Sequence, residues 1–341
     1  FKKILDKKMN YDICSVGSAL VDFTFSIDKR YERNLISYGI PKGSMTLIER
    51  EDQEALIKEL TEMGKTPDKA CGGSGTNSTV AASLFGAKCH MTCIVSDDDH
   101  GRFYIEDLSS NNVNHTNPPI SSDLSSGRCL VMVSDDAERT MCTNLGINAE
   151  FKASDLEEKI IKASNYLFLE GYLVASSKGM EVCKKAVQAA KDNNTKVSIS
   201  LSDPNIVHAF KDEIKTLLDM NCDLIFCNED EALAYTETDD LSNAFQIFKE
   251  ISPNFLITQG SSGCVGFDGK NEFDVPGIKM NAIDTNGAGD MFAGAVLYSI
   301  TAGSSLEKGA IFGCYAASKV VSNVGPRLLK EEYFQIKNNF F

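Results

Sequence analysis

The sequence predicts an α/β fold, in which a mainly parallel central sheet is covered by helices on both faces and carries a small second β-sheet as a lid. Three observations predict it. Short apolar runs ending near Gly, Asn, Asp or Ser recur at 13–16, 93–95, 166–169, 197–201, 224–227 and 255–258, which is how buried parallel strands read. Amphipathic stretches such as 177–192 and 206–220 lie between several of them, and strand and helix in alternation build a doubly covered sheet. Two segments, 23–49 and 127–145, break that rhythm with strand formers that alternate apolar and polar, as in Arg128-Cys129-Leu130-Val131-Met132-Val133. They are read as the lid sheet over the strand ends, although an antiparallel edge of the main sheet would show the same pattern. Residues 9–341 then form one domain, with the basic stretch 1–8 as an N-terminal extension.

The bulk properties narrow the function. At 341 residues and 43% hydrophobic content the chain can bury a substantial core. A formal charge of -14 argues against nucleic-acid and anionic-membrane partners. A phosphate substrate must therefore be held by local dipoles, a metal or a few Lys and Arg. The eleven cysteines contain no C-x-x-C pair and fit reduced thiols in a cytoplasmic protein. Cys89, His90 and Cys93 lie in an apolar strand-like run whose alternation would not bring all three to one face, so they are read as core rather than as a zinc site. Ser96 to Gly101 resembles a calcium loop only faintly, with Ser96 and Asp107 where an opening Asp and a closing Glu belong. No apolar run reaches membrane-spanning length. A soluble monomer or homodimer is expected.

Taken in chain order, the first strand is followed by Gly17-Ser18 and no dinucleotide fingerprint. Asp22 stands just past that strand, where a parallel sheet gathers ligands. Cys71-Gly72-Gly73-Ser74-Gly75-Thr76-Asn77-Ser78 runs into an Ala-rich helix at 79–85 that ends at Gly86. Its small residues admit a polar ligand to the backbone, and Asn77 offers a donor and an acceptor to a diol; a plain turn with a cap residue has the same composition. After the strand at 224–227, Asn228-Glu229-Asp230-Glu231 opens a helix. Asn228 and Glu231 share one face and can hold Mg²⁺ through water, while an acidic first turn also suits the helix dipole. Thr258-Gln259-Gly260-Ser261-Ser262-Gly263 is a strand end entering a Gly-rich turn, with hydroxyls and amides for phosphate or ribose.

The most specific segment is Asp284-Thr285-Asn286-Gly287-Ala288-Gly289-Asp290, which leads into a helix from Met291. Unpaired amides and a partial positive charge at a helix N-terminus bind anions, and small residues let a phosphate approach. Asp290 on the first turn is placed to take the proton of a hydroxyl attacking a phosphoryl group, or simply to complement the dipole. No G-x-x-x-x-G-K-[ST] loop occurs.

These segments, in this order, resemble the ribokinase-like, or PfkB, family of carbohydrate and nucleoside kinases, with D-T-x-G-A-G-D as its signature. The resemblance runs from about Tyr11 onward. Met45-Thr46-Leu47, Gly171-Tyr172-Leu173 and residues 316–326 are similar to its adenosine-kinase-like branch. It implies a three-layer ribokinase-like sandwich and roles residue by residue. Asp290 would be the base, with Gly287, Ala288 and Gly289 as the anion hole. Asp22, Gly73 and Asn77 would hold sugar hydroxyls. Asn228 and Glu231 would serve Mg²⁺ and phosphate. Thr258, Gly260, Gly263 and Cys314 would face the nucleotide, and Arg139 would be a lid arginine reaching the phosphates. ATP, Mg²⁺ and a monovalent cation such as K⁺ come with the family. The chain departs from the pattern at Ser96, where the family often has Gly, and at Leu173, where adenosine kinases commonly present an aromatic ring. The implied activity is ATP-dependent phosphorylation of a primary hydroxyl on a nucleoside such as adenosine. A free sugar kinase of the ribose, fructose or keto-sugar-acid type is the alternative, and a non-catalytic sensor a further one.

Overall fold

The computed structural model describes residues 11–136 and 138–341, so the basic stretch 1–8 lies outside the described residues. Nine strands form the main sheet, in the spatial order Glu272–Pro276, Gly263–Phe267, Phe255–Thr258, Leu224–Asn228, Lys196–Ser200, Ser164–Glu170, Tyr11–Val16, Cys89–Thr92 and Val113–Asn114. All pairs are parallel except the two made by Gly263–Phe267, which form an antiparallel edge. Alternate residues of each inner strand enter different cores: Phe168 packs on one side, Leu167 and Leu169 on the other. A sheet buried on both faces explains the near-continuous apolar runs. Helices Ser74–Phe85, Ala288–Thr301 and Leu306–Val320 cover the first face and Ser177–Lys191 the second.

The out-of-rhythm segments do leave the main sheet, but 23–49 is not strand throughout: Lys29–Ser37 within it is a helix, capped by the Asp28 side chain. A separate five-stranded sheet runs Met45–Leu47, Arg139–Asn144, Gly127–Val133, Leu20–Ser26, Asp68–Gly72. It begins at Leu20, before the expected position 23, and recruits Asp68–Gly72, which the Gly-rich sequence at 71–78 hid.

Three local expectations shift. The helix expected over 79–85 begins at Ser74 after Gly73, whose φ of 90° is left-handed; a Cβ there would lie 2.5 Å from the Ser18 carbonyl oxygen. Asn77 thereby moves from a loop onto the first turn of a helix. The stretch 206–220 is two helices, Pro204–Ala209 and Lys211–Asn221, because Phe210 between them adopts φ -128° and ψ 35°. The strand expected at 93–95 lies at Cys89–Thr92. Cys89 and His90 belong to it and are fully buried, and burial pushes the His90 imidazole down to about 4. No cluster of metal-ligating side chains occurs among the described residues. Asp98 in the calcium-like stretch caps the helix Asp99–Ser110, accepting the Gly101 amide at 2.7 Å. Among the described residues no helix is long and apolar enough to cross a membrane.

Candidate active site

The strands' carboxyl ends, the small sheet and the N-terminus of the helix Ala288–Thr301 enclose a cavity of about 300 Å³ lined by Asp22, Gly73, Asn77, Glu170, Glu231 and Asp290 among others. Its opposite wall is apolar and comes from the small sheet, through Met45, Leu47, Val131 and Met141. A second cavity of about 260 Å³ lies beside it, lined by Thr258, Gly260, Gly263, Ile278, Phe292 and Cys314 among others. Thr285 and Gly289 line both. The Gly-rich helix start is thus the partition between an acidic chamber and a largely apolar one.

Local sequence explains that partition. Gly287 is the N-cap with φ 75°, and a Cβ on it would lie 2.5 Å from the Cα of Pro326. Gly289 has nothing within 4 Å of where its Cβ would be, so a ligand can approach its backbone closely. The Ala288 amide turns back toward the Thr285 carbonyl at 3.3 Å, a long bond that an incoming anion can displace. Asp290, on the first turn, accepts the Ser74 hydroxyl on Oδ1 at 2.6 Å and the Asn77 amide on Oδ2 at 2.9 Å. Burial raises its pKa above the ordinary value for an aspartate, and the bonds from Ser74 and Asn77 pull it back.

The expected sugar-binding trio converges on the acidic chamber. Gly73 lies at its wall. Asn77 spends one amide proton on Asp290 and accepts Arg327 Nε at 2.8 Å on Oδ1, leaving one donor and one lone pair for a hydroxyl. The Asp22 carboxylate makes no hydrogen bond among the described residues, and burial pushes it from the ordinary 3.8 up to about 7. Because the folded value is raised, this group favours folding fully below about 4, and the contribution is lost as pH climbs toward 7. The free protein is therefore expected to melt lower at pH 8 than at pH 5. An ionised Asp22 is the better acceptor for hydroxyls, so acceptor KM is expected to fall several-fold from pH 6 to pH 8. A flat KM profile, or the same slope in Asp22→Asn, would remove Asp22 from acceptor binding.

Asn228 and Glu231 form a capping box: the Asn228 side chain accepts the Glu231 amide at 2.8 Å, and Glu231 accepts the Asn228 amide at 3.1 Å. Glu231 is 5% exposed, lines the acidic chamber, has no cationic partner among the described residues, and is pushed by burial up to about 7. An uncompensated buried carboxylate with lone pairs to spare fits a Mg²⁺ ion that keeps its waters and is held mostly by phosphates. Both residues stand on the acceptor side, whereas Thr258, Gly260, Gly263 and Cys314 gather in the other chamber. Arg139 is elsewhere. Its guanidinium forms a two-point ion pair with Asp284, with Nε to Oδ1 at 2.7 Å, and it lines neither cavity. Asp284 is 5% exposed and also takes the Asn286 and Gly325 amides, so a buried carboxylate has recruited the nearest cation.

Two residues escaped sequence reasoning. Glu170 ends a main-sheet strand, is 2% exposed, and accepts the Ser18 amide at 2.6 Å and the Gly75 amide at 2.8 Å. It ties the first strand's exit to the Gly-rich helix; an acid at a strand's carboxyl end before Gly171 was the available signal. Arg327 lies under the acidic chamber, and no local pattern marks it.

With this geometry in view, a family model described as pfkB family carbohydrate kinase matches residues 33–332. The adenosine kinase of Saccharomyces cerevisiae is 25% identical over 343 residues, covering 95% of this chain and 98% of its own. Two solved structures superpose with a TM-score of 0.90 at 28% identity: a probable sugar kinase from Rhizobium etli CFN 42, covering 98% of this chain and 100% of its own, and the adenosine kinase of Sinorhizobium meliloti, covering 96% and 99%.

Proposed function

The chain belongs to the pfkB family of carbohydrate kinases and is a sugar or nucleoside kinase, and from that premise we propose that it transfers the γ-phosphoryl group of ATP to the primary hydroxyl of a nucleoside such as adenosine. The observation that carries this reading is the meeting of two chambers at Thr285 and Gly289, with Asp290 on the acidic side. ATP enters the chamber of Thr258, Gly260, Gly263 and Cys314, where Phe292 and Ile278 supply apolar surface for a base. The acceptor's hydroxyls meet Asp22, Gly73 and Asn77, and its apolar body faces Met45, Leu47, Val131 and Met141 on the small sheet, which serves as the lid. Asp290 takes the proton of the attacking hydroxyl, and the amides of Gly287 to Gly289 meet the charge on the transferred group. Mg²⁺ held near Glu231 and Asn228 through water would neutralise phosphate charge. For Arg139 to reach the phosphates it must let go of Asp284. Free thiols throughout the described residues support a reducing, cytoplasmic setting.

The chamber's charge separates the substrate classes. Among the described residues no Lys, Arg or His lines it, while Asp22, Glu170, Glu231 and Asp290 do. A neutral polyol suits that wall; a keto-sugar acid would bring a carboxylate toward four others. ADP release measured across nucleosides and free sugars tests the reading. Adenosine is expected to be phosphorylated, and 2′-deoxyadenosine with kcat/KM lower by about tenfold or more, since losing one hydroxyl leaves a buried acceptor unpaired at about 1–3 kcal/mol. Equal kcat/KM for the two would take Asp22 and Asn77 out of diol binding. Activity confined to free sugars would replace the nucleoside with a sugar.

A further inference from the structure

A buried chain of hydrogen bonds runs from the surface to Asp290. Arg327 Nη1 donates to Asp107 at 2.6 Å, Arg327 Nε donates to Asn77 Oδ1 at 2.8 Å, and Asn77 Nδ2 donates to Asp290 Oδ2 at 2.9 Å. The Arg327 side chain is 15% exposed, its Nη2 is shut from solvent with no partner among the described residues, and it is not itself a wall of the acceptor chamber. A guanidinium has donors only. It therefore decides which end of the Asn77 amide points where: the oxygen must face Arg327, so the NH₂ must face Asp290. Without that constraint the Asn77 amide can turn its oxygen toward the carboxylate, replacing a hydrogen bond by a repulsion.

We propose that Arg327 is a positioning residue for phosphoryl transfer, orienting Asn77 so that Asp290 is held in place and kept ionised to receive the acceptor's proton. The inference rests on the reading of Asp290 as the base. Four acidic groups crowd the same space: Asp22 from the small sheet, Glu170 from a main-sheet strand, Glu231 from a helix, and Asp290 itself; Tyr172 and the Ser74 hydroxyl complete the surroundings. The Arg327 charge favours ionisation of both Asp22 and Asp290, while Arg139, which favours ionisation of Asp22, is committed to an ion pair with Asp284. One buried guanidinium thus offsets two carboxylates that a hydroxyl substrate leaves uncompensated.

The test is the acid limb of the kcat–pH profile, measured with ATP and whichever acceptor is turned over best. Arg327→Gln is expected to lower kcat by about tenfold or more through misplacement of the base, with KM for ATP nearly unchanged and the limb moved to higher pH. Arg327→Lys, which keeps the charge, is expected to hold the limb near its wild-type position. Asp107→Asn is expected to move the limb the opposite way, to lower pH, because it leaves the cation less neutralised. A role in folding alone predicts coincident limbs in all three variants. Limbs that coincide, or that shift in the same direction for Arg327→Gln and Asp107→Asn, would overturn the inference. Should Arg327→Gln fail to fold, the downward shift in Asp107→Asn decides it alone. Asp290→Asn serves as reference: if it keeps wild-type turnover, the base assignment falls, whereas its loss beside unshifted Arg327 variants rejects only the positioning role.

Discussion

Asp290→Asn is expected to fold, to bind ATP and to lose at least about a hundredfold in kcat, the scale of removing a general base. The substitution keeps size and shape: the new amide oxygen can still accept the Asn77 NH₂, and the new NH₂ can donate to the Ser74 hydroxyl oxygen, reversing the bond that Ser74 gives in the wild type. What it removes is the capacity to accept a proton. Because Asp290 lines the acceptor chamber and not the nucleotide chamber, KM for ATP should stay close to wild type. Near wild-type turnover in single-turnover and steady-state kinetics would end the proposed mechanism.

Gly287→Ala is expected to damage stability and catalysis together. At φ 75° an alanine carries about 1–2 kcal/mol of left-handed strain. Its Cβ would also stand 2.5 Å from both the Cα and the carbonyl oxygen of Pro326. Those are backbone-anchored atoms that cannot rotate aside, so overpacking adds about 1–3 kcal/mol. Relief must come from moving the segment 325–327, which donates Gly325 N to Asp284 and carries Arg327. A fall of several degrees in Tm with a clear loss of kcat is expected by calorimetry and kinetics. Gly289→Ala is the contrast: its φ is not positive and its Cβ would meet nothing within 4 Å. Tm should hold while the added methyl, standing where the two chambers meet, slows transfer or weakens ATP. Wild-type behaviour in Gly287→Ala would remove the strained cap from the account.

The parallel sheet was legible because its strands are buried on both faces and so read as continuous apolar runs, as at Phe255–Thr258, which the structure reproduces at both ends. The small sheet was legible from alternation at Arg128 to Val133, but Asp68–Gly72 was not, since it joins through backbone pairing with Leu20–Ser26 and carries no strand pattern of its own. The start of the helix Ser74–Phe85 was misplaced for a related reason: Gly73 and Ser74 look like a turn until the approach of Ser18 and the pull of Glu170 on the Gly75 amide are known. Arg139 was expected toward phosphates and lies on Asp284, a partner 145 residues away.

By itself the sequence determined the local chemistry: a helix start that exposes amides, an acid on its first turn, and an acidic helix opening with Asn228 and Glu231 three residues apart on one face. Those depend on residues within a few positions of each other, so spacing alone carries them. Only the tertiary structure decided which groups meet. Ser74 reaches Asp290 across 216 residues and Arg327 reaches Asn77 across 250, and contacts at such separations are set by how whole layers pack, not by any local pattern. The raised pKa values of Asp22 and Glu231 belong to that second category, because desolvation is a property of the closed chamber and not of the residues that line it.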